Sequence, residues 1–418
     1  MNQQLTPPPA KKRLGVAMIG YSFMGRAHSQ AWRTAPRFFD LPLTPEMTVL
    51  VGRSEGAARA AAEQLGWAGS ETDWRRVLER EDVDLVDICT PGNTHAEIAE
   101  AALRAGKHVL VEKPMANTVA EAESMAATAR RARAAGVHSM VGFTYRRVPA
   151  VQLARQLVAA GRIGEVRQVR TQYLQDWLAD ENAPLSWRLD KAKAGSGALG
   201  DIGAHAVDLT MFITGQRFAG VSGLLDTFVP ERPVAESFSG LHGTAGTARG
   251  PVTVDDVALG LARLESGAPV TLEASRYAWG RKNALRIEVS GTTGALAFDF
   301  EEMNVLNLYE ATDDATTAGF RRIQVTEPEH PYLEAWWPPG HGLGYEHGFT
   351  HQLVDLLTAL GSGTAPSPSF DDGLHVQRVL DAVERSSAAE SRWTPIPPTV
   401  QDGAAASVPD GRAAAPAH

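Results

Sequence analysis

Lys113 is a side chain whose type and place suggest proton chemistry. It follows the apolar run His108–Val111 and lies between Glu112 and Pro114. The run predicts a buried strand, so Lys113 would stand at a carboxyl end, where open parallel sheets bind ligands. Partial burial there would lower the pKa of the amine and let it exchange a proton with a substrate hydroxyl. The alternative is an ordinary Glu–Lys pair on the surface.

Asp201 and His205 form a second pair with the right chemistry. They are four residues apart in the segment Gly200–Asp208, where we predict that a helix begins near Asp201. A helix would place both side chains on one face. A histidine can accept a hydroxyl proton as hydride leaves the carbon, and a nearby carboxylate can orient it. The alternative is that Asp201 caps the helix and His205 is structural.

A glycine-rich turn follows the apolar run Val16–Ile19. Its pattern is G-x-S-x-x-G, with serine in place of the usual middle glycine. Such a turn between a strand and a helix lets the backbone approach a dinucleotide diphosphate, which binds the N–H groups at the helix start. The predicted cofactor contacts in this turn are Gly20, Ser22, Phe23, Met24 and Gly25. An ordinary strand-to-helix turn is the alternative.

The end of the predicted second strand bears on which cofactor binds. It reads Gly52-Arg53-Ser54 and lacks the acidic residue that usually accepts hydrogen bonds from the adenosine ribose of NAD. A guanidinium and a hydroxyl suit a 2′-phosphate instead. Arg53 and Ser54 therefore favour NADP slightly over NAD. The alternative is that Arg53 stacks on adenine while the protein uses NAD.

The loop after the third predicted strand is a further candidate for cofactor binding, because it leaves a carboxyl end of the sheet. Asn93 and Thr94 could equally cap the next helix. The predicted contacts here and at the fourth strand are Thr90, Pro91, Asn93, His95, Glu112 and Lys113.

Hydrophobic patterning predicts the elements that would position these side chains. Five apolar runs alternate with helical patterns between residues 14 and 142, which indicates βαβ units and a parallel sheet. The pattern changes after about Thr144, and from Gly220 to Leu308 it is strand-rich with hairpin-like spacing, which predicts a mostly antiparallel sheet. Val166–Trp177 is predicted as a strand, and the glycine-rich stretch Ser237–Gly250 as a mobile insertion.

Composition excludes several classes of protein. The net charge of −9 disfavours nucleic-acid binding and electrostatic docking on a membrane. A single cysteine, Cys89, allows no internal disulfide, and no apolar run is long enough for a membrane span. The run Leu14–Gly20 after three basic residues is too short for a secretion signal, so we expect a cytoplasmic protein. His347 and His351 lack an evident third ligand, so no metal is predicted.

Taken together, these motifs resemble the Gfo/Idh/MocA oxidoreductases over about residues 14–393. The resemblance rests on the glycine turn, Glu112-Lys113-Pro114, Tyr145-Arg146-Arg147 and the Asp201/His205 pair. It implies an α/β fold with an N-terminal Rossmann domain and a C-terminal α/β domain with an open, mostly antiparallel sheet. It also implies that Lys113, Asp201 and His205 are catalytic, and that the Lys–Pro bond is often cis. The predicted divisions are a disordered lead-in at 1–12, the Rossmann domain at 13–143, a substrate and assembly domain at 144–395, and a disordered tail at 396–418.

Within the family, three segments look like the levoglucosan dehydrogenase-type subgroup. They are Tyr173–Trp177, Pro184–Arg188 and Gly195–Asp201. Sugar sites combine an aromatic face with polar groups, and we place Trp187 and Arg188 beside the cofactor. The predicted substrate contacts are Lys113, Tyr145, Gln175, Trp177, Asp201, His205 and Tyr345. The alternative for each aromatic is a core position, and the aromatic loop His330–His341 would be a lid or an oligomer contact.

The predicted function is an NAD(P)-dependent dehydrogenase that reversibly oxidises a secondary hydroxyl of a sugar, anhydrosugar, glycoside or cyclic polyol. Members of such families often form homodimers or homotetramers through the C-terminal sheet, and we expect the same here. Two alternatives stay open. One is a redox-neutral, glycoside-cleaving enzyme with tightly held NAD, and the other is a cofactor-binding sensor without turnover.

Overall fold

Six parallel strands form the first sheet of the computed structural model, which describes residues 11–239 and 242–397. The strand order is β3-β2-β1-β4-β5-β6. The chain adds β2 and β3 on one side of β1 and then β4, β5 and β6 on the other, so the strand order reverses between β1 and β4. Strands buried on both faces read as continuous apolar runs, which is why the sequence pattern found them. Their bounds are β1 Lys12–Ile19, β2 Leu43–Val51, β3 Ser70–Glu71, β4 Leu85–Ile88, β5 His108–Val111 and β6 Ser139–Val141.

Helices connect these strands, as the alternating pattern predicted. Ligands of such sheets bind beyond the carboxyl ends of the strands, near the point where the order reverses. The connecting helices are α1 Phe23–Phe38, α2 Glu55–Leu65, α3 Trp74–Leu78, α4 His95–Arg104 and α5 Val119–Arg133.

Nine strands form the second sheet, in the order β16-β15-β14-β13-β7-β12-β11-β8-β17. Only β7 and β12 run parallel among its described pairs, so the sheet is mostly antiparallel as predicted. Its strands are β7 Val166–Leu174, β8 Phe218–Asp226, β11 Val257–Leu264, β12 Pro269–Ser275, β13 Ala284–Gly291, β14 Gly294–Asp299, β15 Val305–Glu310, β16 Arg321–Gln324 and β17 Thr394–Pro395.

Five further helices follow the first sheet in the chain. They are α6 Pro149–Ala159, α7 Lys191–Ala194, α8 Ala204–Thr214, α9 Tyr345–Gly361 and α10 Phe370–Ala388. One continuous apolar core joins residues of both sheets, including Val111 and Val141 of the first and Leu285 and Val289 of the second. The predicted domain boundaries stay predictions. Within the described residues, no helix is both long and apolar enough to cross a membrane.

Three local predictions need correction. Of the predicted insertion Ser237–Gly250, residues 237–239 and 242–250 lie in an antiparallel ribbon of β9 Glu231–Ser239 and β10 His242–Pro251. The strand predicted over Val166–Trp177 ends at Leu174. The predicted lead-in and tail lie mostly outside the described residues, although Lys12 already belongs to β1 and Ile396 is buried.

Candidate active site

The glycine turn between β1 and α1 has the close packing that a dinucleotide turn needs. Gly20 has φ of +97°, a conformation that favours glycine. A Cβ on Gly25 would lie 2.2 Å from the carbonyl oxygen of Gly20, so a larger residue would force the turn open. Ser22 precedes α1 without capping it through its side chain, and it is exposed. The first N–H groups of α1 are therefore not covered by a side-chain cap from Ser22, as a diphosphate site requires.

The end of β2 lies against this turn. A Cβ on Gly52 would meet the ring of Tyr21 at 2.0 Å, so glycine makes room for that ring. Arg53 and Ser54 follow and are exposed, and Ser54 precedes α2 without a side-chain capping bond. The structure thus leaves a guanidinium and a hydroxyl available at the position predicted to select the cofactor.

The loop after β4 brings some of its predicted residues to the surface and buries others. Thr90 and Pro91 are half-buried and Asn93 is exposed. His95 is buried, and its two ring nitrogens contact the carbonyl oxygens of Pro114 and Thr90 at 3.0 and 2.8 Å. Its side chain is committed to the protein, so the structure gives His95 a supporting position and not the direct cofactor contact we predicted.

Glu112 also supports the site from beneath. Its carboxylate lies 3.0 Å from Nε2 of His28, whose Nδ1 contacts both carboxylate oxygens of Asp87 at 2.9 Å. Burial is the largest single influence and opposes a charge on His28, but Asp87 and Cys89 together outweigh it and raise the pKa of the imidazole well above its ordinary value. His28 is thus a buried cation between two carboxylates. The second Glu112 oxygen accepts the backbone N–H of Lys113 at 3.3 Å.

The side chain of Lys113 extends from the buried residue Glu112 towards the turn that precedes helix α8. Its peptide bond to Pro114 is cis. Its Nζ lies 2.5 Å from the carbonyl oxygen of Asp201 and 3.6 Å from Oδ1 of the same residue, and 13% of its side chain is exposed. An ammonium in this place can donate to a hydroxyl oxygen while Asp201 balances its charge.

Asp201 lies in a π-helical turn, Leu199–Gly203, which leads directly into α8. The helix predicted near Asp201 is present, but its first turn is wider than an α-helix. Burial acts to raise the pKa of the carboxyl, while the charges of Lys113, Arg276 and Arg188 lower it, and the net pKa lies below the ordinary value. Asp201 is therefore an anion at neutral pH.

His205 has the opposite environment to His28. It is 8% exposed, and its Nδ1 finds no hydrogen-bond partner among the described residues. The rings of Tyr145, Tyr173 and Phe143 surround it with centroids 4.6, 5.9 and 6.0 Å away. Burial, and then the charge of Lys113, lower its pKa well below the ordinary value. A neutral imidazole with a free nitrogen can accept a proton.

A chain of polar side chains leads away from His205 along the second sheet. The hydroxyl groups of Tyr145 and Tyr173 lie 2.6 Å apart, and Tyr173 donates to Oδ1 of Asn283 at 2.5 Å. Gln175 donates to the same oxygen at 2.8 Å and accepts from Nε1 of Trp177 at 3.0 Å. The predicted residues Tyr145, Gln175 and Trp177 thus belong to one network. Gln175 and Trp177 lie just beyond the end of β7.

The remaining predicted residues lie around this group. The guanidinium of Arg188 lies 4.5 Å from the ring centroid of Trp187, and both residues are half-buried. Tyr345 begins α9, and its ring stacks on Phe23 at 6.2 Å, so it links the glycine turn to the second sheet.

The aromatic loop packs against the other end of α1. Trp336 contacts Phe38 and Phe39 with ring centroids 4.5 and 5.5 Å away. Its Nε1 donates to Nε2 of His351, whose Nδ1 contacts the carbonyl oxygen of Arg147 at 2.9 Å. Both nitrogens of His351 are thus used by the chain itself. Among the described residues, His28, Asp87 and Cys89 form a group with metal-ligand chemistry, but His28 is already held by carboxylates.

Comparison with known proteins places this site in a family. Residues 14–143 match the model described as "Oxidoreductase family, NAD-binding Rossmann fold", and residues 151–297 match the GFO/IDH/MocA C-terminal domain. Levoglucosan dehydrogenase of Pseudarthrobacter phenanthrenivorans is 41% identical over 92% of this chain and 99% of its own. The chain belongs to the Gfo/Idh/MocA oxidoreductase family. The family and fold class predicted from the motifs are confirmed.

Solved structures of Gfo/Idh/MocA proteins agree closely with this one. An oxidoreductase domain protein from Kribbella flavida has 66% identity and a TM-score of 0.89, covering 93% of this chain and 100% of its own. Levoglucosan dehydrogenase in complex with NADH and levoglucosan has 40% identity and a TM-score of 0.87, with coverage of 93% and 100%. The chain is thus an oxidoreductase of a family with an NAD-binding fold whose relatives act on sugars and polyols.

Sequence reasoning missed several residues of this Gfo/Idh/MocA site. Asn283 joins Tyr173 to Gln175, while Arg276 and Asp255 contact the π-helical turn. His28 and Asp87 support Glu112 from below. None of these residues has a motif of its own. The one available signal was that Asp255 and Arg276 lie next to strand ends.

Proposed function

We propose that this chain is an NAD(P)-dependent dehydrogenase that reversibly oxidises a secondary hydroxyl of a sugar or anhydrosugar to a ketone. Glycosides and cyclic polyols belong to the same substrate class. The observation that carries the proposal is the environment of His205. The His205 imidazole is buried and neutral, and its Nδ1 has no hydrogen-bond partner among the described residues. It lies near the Lys113 ammonium, which is paired with the ionised Asp201 carboxylate.

The reaction divides its work among three side chains. His205 accepts the hydroxyl proton, because its lowered pKa keeps it neutral in the resting protein. Lys113 donates to the substrate oxygen and stabilises the negative charge that develops there. Asp201 holds Lys113 and balances its charge. Bound NAD(P) would accept the hydrogen on carbon as hydride.

The glycine turn fits that cofactor. Gly20 and Gly25 are packed so closely that added Cβ atoms would clash, and the first turn of α1 is not capped by the side chain of Ser22. The proposed contacts of the turn are Gly20, Ser22, Phe23, Met24 and Gly25, with Thr90, Pro91 and Asn93 opposite. Trp187 and Arg188 would complete the nicotinamide side.

The cofactor is proposed to be NADP in preference to NAD. The three residues directly after β2 are Gly52, Arg53 and Ser54, with no carboxylate among them, and the exposed Arg53 and Ser54 suit a 2′-phosphate. A relative at 40% identity was solved with NADH, so both cofactors belong in the same assay.

The sugar class is supported by the polar network beside His205. Tyr145, Gln175 and Trp177 offer hydroxyl, amide and indole groups on one side of the site, and Trp177 is 37% exposed. An exposed indole beside fixed hydrogen-bonding groups matches the alternating apolar and polar faces of a pyranose ring.

Assembly through the second sheet is part of the proposal. Leu224 of β8 pairs with Leu259 of β11, and these residues and Leu261 are 49, 39 and 63% exposed. Exposed apolar side chains on neighbouring strands are typical of a buried contact in an oligomer. Light scattering in solution would measure the mass of the assembly. A cytoplasmic location stays a prediction.

The deciding experiment is an absorbance screen at 340 nm with NAD and NADP in parallel. The panel holds levoglucosan, glucose, glucosides, inositols and 1,5-anhydro sugars. We expect turnover with a pyranose-like substrate, and Lys113→Ala should lower kcat by about 10²-fold or more while cofactor binding stays largely intact. Unchanged turnover in that variant would contradict the assignment of Lys113. Cofactor binding without net reduction across the panel would contradict the dehydrogenase proposal.

A further inference from the structure

Arg276 is a fully buried arginine that connects three parts of the site. It follows β12 directly and has no exposed surface. Its Nη1 lies 3.5 Å from Oδ2 of Asp201, and its Nη2 donates to the carbonyl oxygen of Asp255 at 3.0 Å. The guanidinium carbon lies 5.6 Å from the ring centroid of Trp177. One rigid, planar cation therefore contacts the catalytic carboxylate and the indole proposed to face the sugar.

Asp255 completes the support of the π-helical turn. Its two carboxylate oxygens accept the backbone N–H groups of Gly197 and Leu199 at 2.6 and 2.7 Å. Its carbonyl oxygen accepts from Ala198 at 3.0 Å as well as from Arg276. These bonds satisfy N–H groups that the start of a helix would otherwise leave unpaired. The turn that carries Asp201 is thus attached to the strand ends that carry Asp255 and Arg276.

Close packing shows how tightly this attachment is built. A Cβ on Gly197 would lie 1.8 Å from the carbonyl oxygen of Asp255 and 2.8 Å from Nη2 of Arg276. Glycine is required at 197 for the backbone to reach both groups. Backbone contacts on both the turn of Asp201 and the segment of Arg276 therefore fix where the Asp201 carboxylate meets the Arg276 guanidinium.

Burying this guanidinium is costly, and its bonds within the fold do not fully offset the cost. Its Nε has no hydrogen-bond partner among the described residues. A donor left without a partner in the interior destabilises a protein. A side chain that served only to stabilise the loop would do better as an apolar residue of similar volume.

We propose that Arg276 is a positioning residue for the dehydrogenase reaction, holding the Asp201 carboxylate and the Trp177 indole in one fixed relation. This inference rests on the proposed function of Lys113, Asp201 and His205. The indole sets where the sugar ring lies, and Asp201 sets where Lys113 points. Arg276 joins the two, so the hydroxyl to be oxidised is presented to His205 in one orientation. A displacement of about 1 Å in such an arrangement can cost 10²-fold in rate.

Arg232 provides a matched control. It is also fully buried, and its Nε also lacks a described partner. Its guanidinium donates to the carbonyl oxygens of Leu178 and Asp180 at 2.6 and 2.7 Å, in the loop that follows Trp177. It shares no ion pair with Asp201 among the described residues. Arg232 and Arg276 therefore differ in whether the buried cation reaches the catalytic carboxylate.

The test compares Arg276→Gln and Arg276→Lys with Arg232→Gln and Arg232→Lys in the full-length protein. The substrate and cofactor are those that give turnover with the wild type in the 340 nm screen. We expect Arg276→Gln to lower kcat by about 10²-fold, with Arg276→Lys intermediate and cofactor affinity within about twofold. Arg232→Gln should lower Tm while the kcat of the folded protein stays within about threefold of the wild type.

The pH profile of kcat/KM tests the positioning role of Arg276, because a purely structural role would leave the profile unchanged. The charges around the Asp201 carboxyl are Lys113, Arg276 and Arg188, with neutral His205 nearby. Removing one of those cations raises the pKa of Asp201, so the acid limb of kcat/KM should move to higher pH in Arg276→Gln. It should not move in Arg232→Gln.

A double variant separates action through Asp201 from an independent effect. In the Asp201→Asn background, Arg276→Gln should lower kcat by much less than it does in the wild type, because only the contact with Trp177 is left to lose. Additive losses, or equal changes in kcat for Arg276→Gln and Arg232→Gln, would overturn the inference. If Arg276→Gln does not fold, Arg276→Lys still decides it, because a wild-type kcat in that variant would overturn the inference. An inactive wild type would overturn the proposed function first, and this inference with it.

Discussion

Two histidines, His28 and His205, are buried to nearly the same degree and have opposite chemistry. They are 1 and 8% exposed, respectively. His28 lies between the carboxylates of Asp87 and Glu112. His205 lies among aromatic rings near Lys113, with its Nδ1 unpartnered in the described structure. The pKa of His28 is raised and that of His205 is lowered.

The difference shows that partners, and not burial alone, decide what a buried imidazole does. Burial penalises the charged form of both rings. At His28, Asp87 and Cys89 together more than compensate, and the result is an internal cation beside Glu112. At His205 the nearest charge is an ammonium, so both effects act in the same direction and leave a neutral proton acceptor. His28 supports the structure beneath Lys113, and His205 is the proton acceptor that we propose for the reaction beside it.

The largest expected effect comes from replacing the reactive member of the pair. His205→Asn should lower kcat by about 10²- to 10⁴-fold, because the proton acceptor is lost. Tm should change little, since the side chain makes no Nδ1 hydrogen bond that would be broken. Steady-state kinetics at 340 nm and a thermal melt measure the two quantities. A kcat within tenfold of the wild type would show that another group accepts the proton.

Replacing His28, the structural member of the pair, should act mainly on the stability of the fold. His28→Gln leaves two carboxylates buried without their cation, which is expected to cost about 3–5 kcal/mol in the free energy of unfolding. His138→Gln is the control, since His138 is half-buried and stacks on His108 without a carboxylate. Urea unfolding of both variants gives the comparison. If His28→Gln were as stable as His138→Gln, the charged state of His28 would be refuted.

The sequence allowed one side of this comparison to be predicted better than the other. His205 lies within a short segment with Asp201, and Lys113 follows a clear strand, so local spacing and the family resemblance located them. His28 stands in α1 without a motif, and its partners are 59 and 84 residues away along the chain. Such pairings depend on which strands become neighbours, and a single sequence does not show that.

A single sequence is equally limited in locating the residues that we propose to contact or position the substrate. The polar network begins where β7 ends, at Leu174, and the sequence pattern continued that strand to Trp177. The alternation of residue types persists after the backbone has left the sheet. Arg276 lies 75 residues from Asp201 and follows a strand that shows no unusual pattern. Glycine content did not show that residues 237–239 and 242–250 pair as strands of a ribbon, because that pairing depends on contacts between separate segments.

His375 extends the comparison to stability, with a smaller expected effect. It is buried in α10, accepts the backbone N–H of Phe218, and lies far along the chain from the catalytic residues. Burial, Arg217 and Arg378 lower its pKa from 6.5 to about 4. Between these values the unfolded chain binds a proton at this position and the folded chain does not. Stability is therefore lost as pH falls from about 6.5 to about 4.

Replacing His375 with glutamine removes that linkage while keeping an acceptor for Phe218. The loss of unfolding free energy on acidification should become shallower by up to about 1.4 kcal/mol per pH unit within this window. Urea midpoints measured at intervals from pH 7 to pH 4 give both slopes. His28 supplies the contrast, because its raised pKa contributes stability that is fully present below about pH 6.5 and is lost only as pH rises through the higher pKa of the folded state. Equal slopes in wild type and His375→Gln would mean that His375 is protonated in the folded protein.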